Sequence, residues 1–374
     1  MEFQVINDLK IKNLNMVVLS KDGDIIDKQK LTFDNEKNNV TLEYKEGISI
    51  YFEKGKIKTE TVVLSPLIEI LKIRYNKNNK LYTIDYLLKK DTYGKVTTYT
   101  LNDDKNLWYR EDKKKNIYVW TPSNYSKKKQ YKLMLCFDGQ NIFDTTKVGE
   151  YTKNHDIYGS WQIETTIEAF NKNHKDDYIV VGIDNADIYR DSELSLNMKL
   201  TDFVELAQVE FAHCFEDGKE MYFEYFSNFI KETLLPFIKS KYNLKEEKLT
   251  VVGSSSGGEA SFYFGLQNVE LVERIFCFSS ATATIKPKVF LRTLKKLKIK
   301  RNKKILPELF IFQGGTGELE SLLAMGNEYL VPLLKHYGYE ENKISYLYQK
   351  DSDHNEDSWK YAFNYFISLI DDNK

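Results

Sequence analysis

Three cysteines, five histidines and six prolines are all that this chain of 374 residues contains. Cys136, Cys214 and Cys277 lie far apart and form no C-x-x-C pair. Their odd number and apolar or mixed surroundings exclude a disulfide scaffold and a zinc knuckle, and leave buried free thiols as the expectation. No segment approaches the roughly 18 apolar residues of a membrane helix. The opening MEFQVINDLKIKN scatters charges where a secretion leader needs a continuous apolar core. Charge of one sign is not in excess either: 54 Lys and Arg stand against 55 Asp and Glu, a net charge of −1. That balance excludes general electrostatic capture of nucleic acid or of an anionic membrane. The expectation is a cytoplasmic protein with no nucleic-acid and no membrane partner; the sequence does not encode its oligomeric state.

What is present is a well-packed globular composition, 42% hydrophobic and 14% aromatic. The length favours two domains. Residues 1–104 read as β structure, short β-branched and aromatic segments alternating with turn clusters: NMVVL then KDGD, VTLEY then KEG, ILKIRY–NKNN–KLYTIDYLL. Hairpin spacing of this kind predicts a sandwich-like all-β domain. A hint of helical period occurs in it only around Pro66–Leu71. Residues 105–374 change character. Near-continuous apolar strands (KNIYVW, YKLMLCF, DYIVVGI, KLTVVG, RIFCFSS, ELFIF, KISYLYQ) are separated by amphipathic segments. One of these, Phe223–Tyr242, holds Pro236, so a kink or early end is expected there. The pattern predicts an α/β domain, a mostly parallel sheet covered by helices on both faces.

Within it, LTVVGSSSGGEASFYFGL places three serines between glycines where a strand gives way to a helix. Gly253-Ser254-Ser255-Ser256-Gly257 is a G-x-S-x-G in the context that gives the pattern meaning. Small neighbours let the chain double back, and the strained central residue lifts its hydroxyl to the carboxyl end of the sheet. Ser255 has glycine at both −2 and +2; Ser254 and Ser256 do not.

A serine alcohol needs a base. His155, His174, His213 and His336 lie in polar or helical stretches. His354 follows KISYLYQ in the loop QKDSDHNEDSW, after the serine in chain order, and is the candidate base. The acid should lie between them after a strand. ELFIFQGGTGELE offers Glu318, with Glu320 as runner-up and Asp351 and Asp353 beside the histidine as further options. A second oxyanion donor should come from the exit of an earlier strand, and YKLMLCFDGQNIFD supplies Gln140 after Gly139, opposite the N–H of Ser256.

These motifs together resemble the esterase-D-like or "putative esterase" α/β-hydrolases, in particular their enterochelin-esterase-like branch. The matching pieces are FDGQNIFD, VVGIDN with RDSEL at Arg190–Leu194, YFSNFIKETLLPFIKSKYN, VVGSSSGG, GGTGE and HNEDSW, spanning about residues 115–370. The resemblance implies a Ser255–Glu318–His354 triad with the Gln140 and Ser256 N–H groups as oxyanion hole. It also implies that Asn141, Arg190 and Trp359 lie near the substrate. The chain departs from the family in reading NADIYR where a glycine-rich N-G-x-x-R is common, and in the long segment Glu193–Gly218.

The function expected is a serine carboxylic-ester hydrolase that needs no metal and no organic cofactor. A siderophore ester of the enterochelin type is the first substrate class and an acylated carbohydrate the second. The basic run Arg292–Lys304 would favour an anionic ligand if it folded over the site, and is otherwise a solvated helix and loop. A carbohydrate-binding protein with an inert hydrolase domain is the reading from another class. Acyl transfer shares the acyl-enzyme with hydrolysis and is not separated from it by sequence.

Overall fold

The alternating segments of the first ninety residues become nine strands: β1 (Glu2–Asn7), β2 (Asn13–Leu19), β3 (Ile25–Thr32), β4 (Lys37–Thr41), β5 (Ser49–Lys54), β6 (Ile57–Lys58), β7 (Val62–Val63), β8 (Ile68–Asn76) and β9 (Leu81–Leu88). The structure is a computed structural model and describes all residues except 21–22, 46–47, 78–80, 91, 153–158, 186, 197, 213–220, 303–304, 351 and 371–374. His155, His213, Cys214 and Asp351 lie outside the described residues. The strands form two sheets, in the orders β4-β1-β8-β9 and β3-β2-β5-β6, with β7 paired to β5. Period-2 alternation turns Val5, Leu14, Met16, Val18, Ile50, Phe52, Ile73 and Ile84 toward a shared core. The hint of helix at Pro66–Leu71 is not realised. Ile68 opens β8, where Ile68, Leu71 and Ile73 bury against the facing sheet and packing overrides local pattern.

Eight further strands make one sheet: β10 (Lys95–Asn102), β11 (Lys114–Thr121), β12 (Lys132–Cys136), β13 (Tyr178–Ile183), β14 (Leu249–Ser254), β15 (Val272–Phe278), β16 (Glu308–Gly314) and β17 (Ile344–Gln349). Their order is β10-β11-β13-β12-β14-β15-β16-β17. β10 and β11 run antiparallel and the remaining pairs from β12 onward are parallel. The division at residue 104 therefore shifts. KVTTYTL reads as one more hairpin arm of the β region, but it pairs along its whole length with β11 and belongs to the large sheet.

Every residue of β12, β13 and β14 is buried, as a sheet covered on both faces requires. One face packs Phe226, Tyr263 and Leu330 from the helical segments Phe223–Lys241, Ser256–Gln267 and Gly317–His336. The other packs Ile167, Trp359 and Phe363 from Ile163–Asn171 and Glu356–Ile367. The helix holding Pro236 neither breaks nor ends early. A π turn over Ile230–Leu234 widens the ladder just before the proline, and the α-helix resumes over Leu235–Lys241. Among the described residues, no helix is long and apolar enough to cross a membrane.

Candidate active site

β14 delivers the serines. Ser254 is the last residue of the strand and Ser256 the first of the helix Ser256–Gln267. Ser255, between them, has φ 54 and ψ −124, a conformation that costs a non-glycine residue of order 1–3 kcal/mol. The surroundings hold it there. Ser255 N–H donates to the Phe278 carbonyl at 2.9 Å, and Ala281 N–H donates to the Ser255 carbonyl at 3.1 Å. A Cβ on Gly253 would lie 2.2 Å from the Gly257 carbonyl oxygen, so the doubling-back is closed to larger residues. The neighbouring Ser256 hydroxyl is engaged elsewhere: it donates to Asp191 Oδ1 at 2.5 Å and accepts from Arg190 at 3.4 Å.

His354 sits in the loop between β17 and the helix Glu356–Ile367, its side chain 22% exposed. Its Nδ1 lies 2.8 Å from Oε1 of Glu320, a carboxylate with no exposed surface. Glu320 in turn accepts from the Gln313 amide, whose oxygen accepts from Asn327 Nδ2 at 2.8 Å. The Trp359 ring stands edge-on to the imidazole, centroids 5.0 Å apart, and its indole N–H donates to Ser279 Oγ at 3.1 Å.

Glu318, the sequence's first choice of acid, is exposed in the first turn of the helix Gly317–His336. The carboxylate on the histidine is the runner-up. The reason is helical phase. Glu320, Leu323, Asn327, Leu330 and Leu334 form the buried stripe of that helix, and a residue two positions before Glu320 points about 200° away from it. Leu323, Leu330 and Leu334 carried that signal in the sequence, and so did Gln313, a polar side chain at the end of an apolar strand.

In the loop after β12, Asp138, at φ 53, leads into a single 3-10 turn, Gly139–Asn141. Its conformation is fixed from several sides. The Gln140 carbonyl accepts from Tyr151 Oη at 2.9 Å, the Gln140 side-chain oxygen accepts from Asn185 N–H at 3.3 Å, and Asn141 Nδ2 donates to Glu356 Oε1 at 3.2 Å. Gln140 and Ser256 both lie at helix starts, where N–H groups have no intrahelical acceptor.

Arg190 reaches this loop with a two-pronged grip on Asp138, Nε to Oδ1 at 2.8 Å and Nη2 to Oδ2 at 2.7 Å. Burial opposes the guanidinium's charge, but the Asp138 carboxylate outweighs it and holds Arg190 above its ordinary pKa. The short helix Arg190–Leu194 is itself anchored below by Glu193, which takes Lys115 Nζ at 2.7 Å and Tyr109 Oη at 2.5 Å in full burial. Burial, with the Asp138 carboxylate adding to it, pushes Glu356 up to about 7.

Asp138, Gln140, Asn141, Asn185, Arg190, Ser254, Ser255, His354, Glu356 and Trp359 line one open cleft of about 290 Å³. The structure thus brings Ser255, His354, Gln140, Asn141, Arg190 and Trp359 together, with Ser256 engaged through Asp191 at its edge. Sequence reasoning missed Asp138, Asn185 and Glu356; Glu356 stands inside the HNEDSW motif already singled out. Of the long segment after Glu193, Ser195 Oγ and Leu196 N–H donate to Glu259 in the helix that follows Ser255, and Val204 N–H donates to the Thr284 carbonyl at 2.9 Å. From the basic run, Lys296, Lys298 and Arg301 border a groove with Gln267, Asn268 and Leu271 at the entry to β15, the opposite end of the sheet from Ser255. Among the described residues no cluster of three or more His, Cys, Asp or Glu is placed to hold a metal ion.

Residues 110–365 match the family described as "Putative esterase". The chain belongs to this esterase family. No curated protein matches it. Among solved structures it is similar to an IroE-like serine hydrolase from Shewanella oneidensis, 16% identical, covering 74% of this chain and 79% of that one with a TM-score of 0.50. A siderophore hydrolase, EstB from Aspergillus nidulans, is 14% identical over 75% of this chain and 95% of its own, TM-score 0.50. The BES protein from Bacillus cereus is 17% identical over 76% and 99%, also at 0.50. At these identities the likeness establishes the α/β-hydrolase fold.

Proposed function

We propose that this esterase works through Ser255, His354 and Glu320. His354 takes the Ser255 proton as Oγ attacks the ester carbonyl; the Gln140 and Ser256 N–H groups hold the tetrahedral oxyanion; His354 then protonates the departing alkoxide. Water, deprotonated by the same imidazole, releases the acid and restores the serine. Glu320 fixes the imidazole with Nδ1–H toward itself and stabilises the imidazolium as it forms. The observation that carries this reading is the strained elbow at Ser255 opening on the same cleft as a histidine whose Nδ1 meets a buried carboxylate at 2.8 Å.

For the substrate we propose a siderophore ester. Support comes from the fold's likeness to a siderophore hydrolase and an IroE-like hydrolase, and from a cleft rich in hydrogen-bonding groups: Asp138, Asn141, Asn185, Arg190 and Glu356. Cytoplasmic action belongs to the same reading; the buried free thiols of Cys136 and Cys277 suit a reducing compartment.

The test is turnover of p-nitrophenyl acetate and butyrate by wild type and Ser255→Ala, with intact mass after a fluorophosphonate probe. The expected result is a single adduct and turnover in the wild type, the adduct lost and kcat down by at least about 10³-fold in the variant. No turnover and no adduct in the wild type would move the weight to a binding protein with an inert hydrolase domain. Hydrolysis of enterochelin but not of feruloylated arabinose would support the substrate class; the reverse would favour an acylated carbohydrate.

A further inference from the structure

The helix Glu356–Ile367 faces two ways. Glu356 and Trp359, one turn apart, line the cleft, and Asn355 caps the helix immediately after His354. Lys360 and Tyr361 turn instead to the N-terminal β region. There Arg74 on β8 pairs with Asp85 on β9, Nε to Oδ2 at 2.8 Å. The Arg74 guanidinium also donates to the Tyr361 hydroxyl and lies 5.8 Å from the centre of its ring. The Tyr361 hydroxyl donates to Asp85 Oδ1 at 3.2 Å, and Lys360 Nζ lies 3.6 Å from the same carboxylate. One strand pair thus grips, through four charged or polar groups, the helix whose first turns carry the wall of the cleft.

Taking Ser255, His354 and Glu320 as the catalytic groups, we infer that the β region is a working part of the ester-cleaving site. The Arg74–Asp85 pair is a positioning device, setting the placement of the helix Glu356–Ile367 and with it the His354 loop. The same region also holds the neighbouring helix Ile163–Asn171 and the turn after it: Tyr86 Oη donates to Thr166 Oγ1 at 3.2 Å, and Asn173 Nδ2 donates to the Leu64 carbonyl. That second contact supplies the control. Loss of Asn173 loosens the union of the two regions without releasing Tyr361.

The experiment uses the full chain with Arg74→Ala, Arg74→Lys, Asp85→Asn, the double variant Arg74→Ala/Asp85→Asn, and Asn173→Ala. Measured for each are kcat and KM on p-nitrophenyl butyrate at 25 °C, the fluorophosphonate labelling rate, and Tm. Arg74→Ala and Asp85→Asn should lower kcat and the labelling rate roughly tenfold with KM within about twofold, since small misplacements of a catalytic group act on the chemical step. The double variant should be no worse than the poorer single, as for groups acting as one unit. Arg74→Lys should recover part of the loss, and Asn173→Ala should lower Tm while leaving kcat within about twofold of wild type. Unchanged kcat in the clamp variants overturns the inference, as does a kcat that simply follows Tm in all five. A probe adduct on wild-type Ser255 together with unaffected clamp variants would sink this inference alone; no adduct and no turnover in the wild type sinks the catalytic reading and this one with it.

Discussion

The proposed nucleophile and the proposed base of this site are held by different physics. Ser255 is placed by main chain: a positive φ, two backbone hydrogen bonds to the β15 exit, and a doubling-back closed by Gly253 against Gly257. His354 is placed by side chains: Glu320, itself held by Gln313, and Trp359, tied to Ser279. A backbone-built group is hard to disturb without damaging the fold, whereas a group built by side chains can be loosened one contact at a time. The nucleophile arm should therefore answer substitution with stability and the base arm with rate.

The largest expected effect tests the base arm. Glu320→Ala removes the carboxylate on Nδ1 and should lower kcat by roughly 10⁴-fold, the loss seen when the orienting acid of such a triad is removed. Glu318→Ala, two residues away and exposed, should leave kcat within about twofold. Steady-state kinetics on p-nitrophenyl butyrate decide between them. Equal losses in the two variants would show that helical phase does not determine the acid.

That pair of residues marks where sequence was not sufficient, and Ser255 where it was. Ser255 could be read from five consecutive residues because its geometry is a local backbone property, and glycine spacing records backbone geometry directly. The apolar strands of the large sheet were legible for a related reason: strands buried on both faces must be apolar throughout. The choice between Glu318 and Glu320 depended on which face of a helix the core occupies, a periodicity spread over Leu323, Leu330 and Leu334. β10 was misassigned because KVTTYTL, half-buried at a sheet edge, alternates like any hairpin strand and carries no mark of its partner. The grip of Arg74 and Asp85 on Tyr361 had no local trace at all, since its partners are more than 270 residues apart.

A smaller effect, read as stability, tests the nucleophile arm. A Cβ at Gly257 would lie 2.8 Å from Asp138 Oδ2 and 3.3 Å from Phe137 Cβ. Asp138 cannot withdraw freely, because both of its oxygens are held by Arg190 and one also accepts from Asn185 at 3.1 Å. Gly257→Ala should thus cost about 1–3 kcal/mol, the usual penalty of overpacking, measured by urea unfolding. If it costs nothing, the elbow is looser than its contacts imply and the contrast between the two arms weakens.

The smallest effect concerns Glu259, one turn into the helix that Ser255 precedes. It is fully buried, accepting from Ser195 Oγ at 3.2 Å and from Leu196 N–H at 3.3 Å. Burial pushes its pKa from 4.5 up to about 8, with the Asp191 carboxylate adding to the rise. The folded state therefore binds a proton that the unfolded state has released anywhere between those two values. The stability this group contributes is complete below about pH 4.5 and is lost as pH rises toward 8. A glutamine at this position keeps an oxygen for Ser195 and Leu196 and does not titrate. Glu259→Gln should match wild type near pH 5 and exceed it near pH 8 by on the order of 2 kcal/mol in denaturant unfolding, with kcat unchanged within about twofold. Glu60, at about 8, and Glu164 and Glu356, at about 7, are raised in the same direction, so the variant's stability should still fall with pH, only less steeply. A variant less stable than wild type at the alkaline end would mean that the buried carboxyl is charged in the native state.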